Sequence, residues 1–257
     1  MELILSILAG VGLFLYGMNL MSDGLQKVAG QKMRDVLEKL TKSSIMGLLL
    51  GIIFTGIIQS SNATTVLVVS FVNSGIMKLS QSVGVIMGAN IGTTVTGQLI
   101  SFKLDAIAPF FIIAGVILVM FIKKPMAKRI GEVVLGFGIL FFGMSTLSSS
   151  VKHLNQFAAV KTLFGSVTNP FLAVLIGFVL TSILQSASAS VGILIVLASS
   201  GLIHPDICYY IIMGCDIGAC GSAVLSSLGG NKDAKRDALI LSLIHISEPT
   251  SHAQISY

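Results

Sequence analysis

The chain has 257 residues, of which 54% are apolar and only 11% charged, against about a quarter charged in an ordinary soluble domain; this excludes a water-soluble globule. Lys and Arg outnumber Asp and Glu by 16 to 11, yet the basic residues sit at the ends of apolar segments, where they act as topology signals, so nucleic acid is not implied. One bilayer crossing takes about 20 mostly apolar residues, and several such stretches predict a multi-pass protein embedded in the lipid bilayer.

The sequence begins Met-Glu, with no basic leader and no small-residue cleavage site, so Leu3 to Met21 reads as a first spanning helix rather than a removable signal. Residues 22–43 place Leu25, Val28, Ala29, Met33, Val36, Leu37 and Leu40 at helical spacing, with Lys27, Lys32, Arg34, Asp35, Glu38 and Lys39 on other faces, which predicts a helix lying in the membrane interface. Apolar residues 45–58 then reach the polar stretch Gln-Ser-Ser-Asn-Ala-Thr-Thr at 59–65, and a second short apolar run follows before Asn73. Neither half is long enough to cross. A short helix, a polar break and another short helix predict a re-entrant hairpin, tolerated only where its unwound backbone is buried in protein or lines a watery cavity. A span over 81–100, interrupted at Asn90–Thr94, and a clean span over 106–122 complete the unit.

The same order then returns. GVGLFLYGM at 10–18 recurs as GFGILFFGM at 136–144, Gln59-Ser60 as Gln185-Ser186, Gly75 as Gly201, and MGANIG at 87–92 as MGCDIG at 213–218, every pair 126 residues apart without a gap. A single fixed offset is the mark of a duplication. The expected organisation is a first repeat over 1–122, a cytoplasmic basic linker over 123–130, a second repeat over 131–246 and a tail over 247–257. Three crossings and a returning hairpin per unit would put the second copy upside down. With the first helix running outside to inside, 13 of the 16 basic residues fall on inner segments, leaving only Lys103, Lys152 and Lys161 outside, as the positive-inside rule requires. The fold class expected is therefore an all-α polytopic membrane protein of two inverted-topology repeats, each with a re-entrant helical hairpin and a broken transmembrane helix. The third crossing of the second copy should begin near Ala238, but the apolar run ends after Ile246, and LSLIHISEPTSHAQISY has no counterpart at the offset. The last helix thus reads as truncated and the tail as foreign to the repeat.

Inverted repeats with discontinuous helices point to a secondary transporter whose site lies near the bilayer midplane. Gln59, Ser60, Ser61, Asn62, Thr64 and Thr65 crowd the first hairpin tip, and Asn90, Thr93, Thr94 and Thr96 mark the first interrupted span; Gln185, Ser186, Ser188 and Ser190, with Asp216 and Ser222, form the second set. Ser and Asn are good N-caps, so each tip can aim backbone N–H groups at an anion, while carbonyls freed at the end of the preceding half-helix offer hard oxygen ligands to a small cation. No Lys or Arg falls inside an expected span. An anion would then be held by neutral donors, helix termini and co-bound cations, which favours cation coupling. Asp216 is the only carboxylate deep in a span, and Asn90 is its counterpart. Gly84, Gly88 and Gly92, echoed by Gly214 and Gly218, read as close-packing positions rather than ligands. Cys208, Cys215 and Cys220 read as buried thiols, and the four histidines lie in loops or the tail, so neither a zinc site nor a serine nucleophile is supported and no enzyme is expected.

QSSNATT at 59–65, QSASAS at 185–190, GANIGTT at 88–94 and GCDIGAC at 214–220 resemble the sodium-dependent phosphate cotransporter family, bacterial branch, which is related to the animal type II sodium-phosphate cotransporters. The resemblance runs from about residue 5 to residue 240. It implies secondary active transport across the inner membrane, coupling sodium ions to inorganic phosphate by alternating access, with sodium as coupling ion and no other cofactor. It implies a sodium and phosphate site at Gln59, Ser60, Ser61, Asn62, Gln185, Ser186 and Ser188, to which Thr64, Asn90, Thr93, Thr94, Ser190 and Asp216 are added by position. Sodium ligands are expected among Gln59, Ser60, Asn90, Gln185, Ser186 and Asp216. A homodimer and a phosphate-uptake-regulator-like cytoplasmic domain or protein are compatible partners. The halves differ: Ala187 stands where the first motif has Ser61, and Asp216, Ala219 and Cys220 stand where the first repeat has Asn90, Thr93 and Thr94. Rival readings are a phosphate exporter of the same family, a non-transporting scaffold or phosphate sensor, and an anion channel, the last disfavoured by the absence of a basic ring.

Overall fold

The computed structural model describes residues 2–227, apart from 42, 103, 155, 158–166 and 168, together with 236 and 239. The third crossing expected near Ala238 and the tail at 247–257 lie outside the described residues but for those two positions. The described helices are α1 (Glu2–Leu40), α2 (Ser44–Ile58), α3 (Ser61–Asn73), α4 (Leu79–Ser101), α5 (Ala108–Phe121), α6 (Pro125–Leu154), α7 (Pro170–Leu184), α8 (Ala187–Ser199) and α9 (Pro205–Ser227). By length and composition, residues 2–30 of α1, together with α4 and α6, can cross a membrane. The duplication is visible element by element, because α2, α3 and α4 begin and end 126 residues before α7, α8 and α9. Even the tight turns agree, with Gly75 at φ 74 and Gly201 at φ 72.

Three expectations need correction. The span over 81–100, expected to break at Asn90–Thr94, is one uninterrupted helix, and so is its counterpart α9. Hydroxyls there bond back to their own helix, Thr93 Oγ1 to Ala89 O at 3.0 Å and Thr94 Oγ1 to Ile91 O at 2.7 Å, and the glycines are held by packing rather than released into a loop. Second, the first span and the helix expected separately over 22–43 are one helix of 39 residues, about 58 Å long at 1.5 Å per residue, nearly twice the hydrocarbon thickness. Gly24 does not interrupt it because its bare face is what lets α6 approach: a Cβ there would press on Val133. Third, α6 starts at Pro125, where proline suits a first helical turn, so most of the linker expected over 123–130 is helix. The span expected over 106–122 has 14 residues in regular helix, α5.

Two compact units divide the chain. One comprises Met1–Gly30, Ile100–Thr168 and Gly192–Pro205. Within it α1 and α6 run antiparallel, with Gly10 against Leu147, Gly17 against Leu140 and Gly136, and Gly24 against Val133. A side chain at Gly17 or Gly136 would collide with the facing backbone, so these glycines set the distance at which the helices can gain dispersion contacts, the main source of helix association in lipid. The pair is closed at one end by Lys27 and Glu132 at 2.9 Å and by Arg129 Nη1 donating to Lys27 O at 2.9 Å. α5 folds back along α6 through Gly115 on Leu135 and Gly138 on Ile112, and Phe111, Phe137 and Phe141 stack edge to face and tilted, with centroids 4.9 and 4.8 Å apart.

The second unit comprises Gln31–Leu99, Asn169–Val191 and Asp206–Tyr257. Here α4 lies parallel to α2, since Gly84, Gly88 and Gly92 meet Ser44, Leu48 and Ile52 in rising order. α9 repeats this on α7, with Gly214 on Val174 and Gly218 on Phe178. Gln81 ties the ends together: its Nε2 donates to Thr41 O and its Oε1 accepts from Lys78 N, while Ser44 Oγ donates to Ser80 O at 2.6 Å. The Arg34 guanidinium sits 5.3 Å from the centroid of buried Phe71, a cation–π contact that pins the end of α1 on α3.

Candidate functional site

Each break between the paired short helices is made by one residue type in an uncommon conformation. α2 ends where Gln59 turns left-handed, at φ 60 and ψ 27, with its N–H donating to Thr55 O at 2.7 Å. α7 ends likewise at Gln185, φ 53 and ψ 26, whose N–H donates to Thr181 O at 2.6 Å. Among the described residues these are the two non-glycine positions with positive φ. A left-handed conformation costs a non-glycine residue about 1–2 kcal/mol, and such strain persists where the surroundings over-determine it, commonly at binding sites.

A serine follows each glutamine and restarts the chain. Ser60 is extended and its Oγ accepts from Ala63 N at 3.2 Å, capping α3; Ser186 Oγ accepts from Ala189 N at 3.3 Å at the start of α8. The polar stretch expected at 59–65 is thus unwound only at Gln59 and Ser60, with Ser61, Asn62, Thr64 and Thr65 already helical. The first turn of each new helix is the place where backbone N–H groups lack intrahelical partners.

The two breaks meet inside one unit: Asn62 Nδ2 donates to Gln185 O at 2.8 Å. That bond brings Asn62 to Gln185, and beside it Ser186 and Ser188 are linked hydroxyl to hydroxyl at 3.2 Å. The glutamines are not equivalent. Gln59 is only 7% exposed; its Nε2 donates to Gly56 O, and its Oε1 is buried without a hydrogen-bond partner among the described residues. Gln185 is exposed. Asn90 is buried on α4 and Asp216 half-buried on α9, so the counterparts differ in burial as well as charge. Thr64 and Ser190 are fully buried and bonded to Thr55 and Thr181 of the preceding helices. Thr96, expected to mark an interruption, lies within unbroken α4. Its Oγ1 is buried with no partner among the described residues, one turn beyond Gly92, which packs on Ile52 and Thr55. The signal that could have found it is the four-residue series Gly84, Gly88, Gly92, Thr96. The side chain of Ser222 lies outside the described residues. Chemically the assembly offers amide and hydroxyl oxygens, two reversed-backbone carbonyls and two capped helix starts: hard neutral ligands for a small cation and dipolar donors for an anion.

These features define a helical membrane protein with two matching helix breaks. The chain belongs to the Na+/Pi-cotransporter family, which it matches over residues 13–149 and again over 142–247. It is 34% identical over 93% of its length to the uncharacterized protein YqeW of Bacillus subtilis strain 168, covering 78% of that protein. It is 30% identical over 92% of its length to YjbB of Escherichia coli strain K12, whose name proposes inorganic phosphate export, and spans 44% of that protein's length. A shorter stretch, 37% of the chain, is 33% identical to 15% of the mouse sodium-dependent phosphate transport protein 2A. No solved structure matches the chain.

Proposed function

We propose that the protein is a secondary active transporter that couples sodium ions to the movement of inorganic phosphate by alternating access, with its site between two re-entrant hairpins, α2–α3 and α7–α8, of inverted repeats. The observation that carries this reading is the hydrogen bond from Asn62 to Gln185 O, which joins the two Gln-Ser breaks. Helices of 15 and 13 residues are about 22 and 20 Å long, too short to cross a core of about 30 Å, which supports a hairpin that enters and returns. The antiparallel packing of α1 on α6 through Gly17 and Gly136 supports inversion, because these helices carry the matching GVGLFLYGM and GFGILFFGM runs. Sodium would be held by Gln59, Ser60, Asn90, Gln185, Ser186 and Asp216, and phosphate by the capped starts of α3 and α8 with Ser61, Asn62 and Ser188. With no cationic side chain in the motif, the anion depends on the cation beside it. Relatives are named both for sodium-dependent phosphate transport and for phosphate export, and in a coupled carrier the gradients set the net direction.

The test is purified protein in liposomes given labelled phosphate with an inward sodium gradient, then with potassium replacing sodium. Uptake that requires sodium is the expected result. Uptake indifferent to the swap would make the protein a channel, and no uptake by correctly folded protein would make it a scaffold or sensor.

A further inference from the structure

Each break is bracketed by a buried pair of hydroxyls that the proposed site does not use. Thr55, on the last full turn of α2, and Thr64, on the first turn of α3, are 1% and 0% exposed and their hydroxyl oxygens are 2.8 Å apart. Thr64 Oγ1 also lies 2.9 Å from Ser60 O, to which it donates. A hydroxyl carries one proton, so with Thr64 committed to Ser60 the proton between the two hydroxyls belongs to Thr55. The second hairpin has the same wiring: Thr181 Oγ1 donates to Ser190 Oγ at 2.8 Å, and Ser190 Oγ donates to Ser186 O at 3.0 Å, with both side chains fully buried.

The backbone closes a ring around each break. Thr55 O receives the N–H of left-handed Gln59, Thr64 N–H returns to Ser60 O, and the hydroxyl pair joins the far sides; Thr181, Gln185, Ser186 and Ser190 form the matching ring. Each of the four hydroxyls has a partner within its ring, the Cys215 thiol adds a further hydrogen bond to Thr181 and to Ser190, and all four side chains are buried. The two rings differ in a threonine at 64 where the other has a serine at 190, both supplying the hydroxyl, and in Cys215, which hydrogen-bonds Thr181 and Ser190 where the first repeat has Ala89.

We propose that Thr55–Thr64 and Thr181–Ser190 are positioning residues, hydroxyl staples that hold Gln59 and Gln185 in the left-handed conformation and so fix the geometry of the sodium and phosphate site. This rests on the function proposed above and reassigns Thr64 and Ser190 from ligands to supports. A ligand acts alone, whereas the two halves of a staple fail together. Thr55→Val, Thr64→Val and the double variant are compared in the liposome assay across a sodium titration, using only protein that elutes as a single species. Each single variant is expected to raise half-saturating sodium at least tenfold, the double variant to be no worse than either single, and Thr64→Ser to behave as wild type. Hydrogen exchange of the amides at 59–63 is expected to quicken at least tenfold in the valine variants, with the rest of α2 and α3 unchanged. Where a valine variant does not fold, Thr181→Val and Ser190→Ala give the same comparison at the other break. Loss of uptake in Thr64→Val with Thr55→Val unaffected would make Thr64 a ligand and overturn the staple, as would multiplicative single effects or unchanged sodium dependence. Wild-type protein with no sodium-driven uptake would instead overturn the proposed function, and the positioning role with it.

Discussion

At the scale of the residue, the informative positions are the two glutamines. Their clustering with serine was plain in the sequence, and Ser60 and Ser186 cap the next helices as that residue type predicts. The left-handed backbone was not legible, because glycine and asparagine are the residues that ordinarily adopt it, and nothing in QSSNATT or QSASAS says that glutamine will. A glutamine where glycine would be less strained implies that its side chain is needed. Gln185 gives the cleaner test, since its side chain is exposed and its removal leaves no buried hole. Gln185→Gly is expected to hold or raise the melting temperature, by relieving about 1 kcal/mol of backbone strain, while sodium-driven uptake falls at least tenfold. A variant that melts higher and still transports normally would show that the glutamine serves the turn alone.

At the scale of the element, Gly88 and Gly92, which read in the sequence as packing positions, lie in a helix that does not break. Asn90–Thr94 looked like an interruption because Asn, Gly and Thr are poor helix formers. That reading failed because propensity is weak beside tertiary packing: Gly88 and Gly92 lie on the backbone of α2, and a close-packed helix in lipid keeps its backbone bonds internal. Gly51 meets Val85 O and Ala89 N from the other side, whereas a Cβ at Gly12 has nothing within 4 Å. Gly51→Val should therefore destabilise by about 1–3 kcal/mol through overpacking and lower the melting temperature, while Gly12→Ala should be neutral or slightly stabilising. Equal behaviour of the two variants would mean that α2 and α4 are not in this register.

At the scale of the whole molecule, the duplication was the most legible feature, because a fixed offset survives without any knowledge of structure, and α2–α4 reappear as α7–α9 at that offset. What the offset could not reveal is that the two copies meet through unlike residues: Asn62 reaches Gln185 O, although Asn62's own counterpart is Ser188 and Gln185's is Gln59. A contact between copies depends on three-dimensional approach, and sequence spacing alone carries no trace of it. A shared site requires that approach. With Cys208, Cys215 and Cys220 replaced by alanine, Asn62→Cys and Gln185→Cys introduced together into the membrane-embedded protein should form a disulfide under mild oxidation, absent from either single variant. Failure of the pair to cross-link in folded protein would separate the two breaks and remove the shared site.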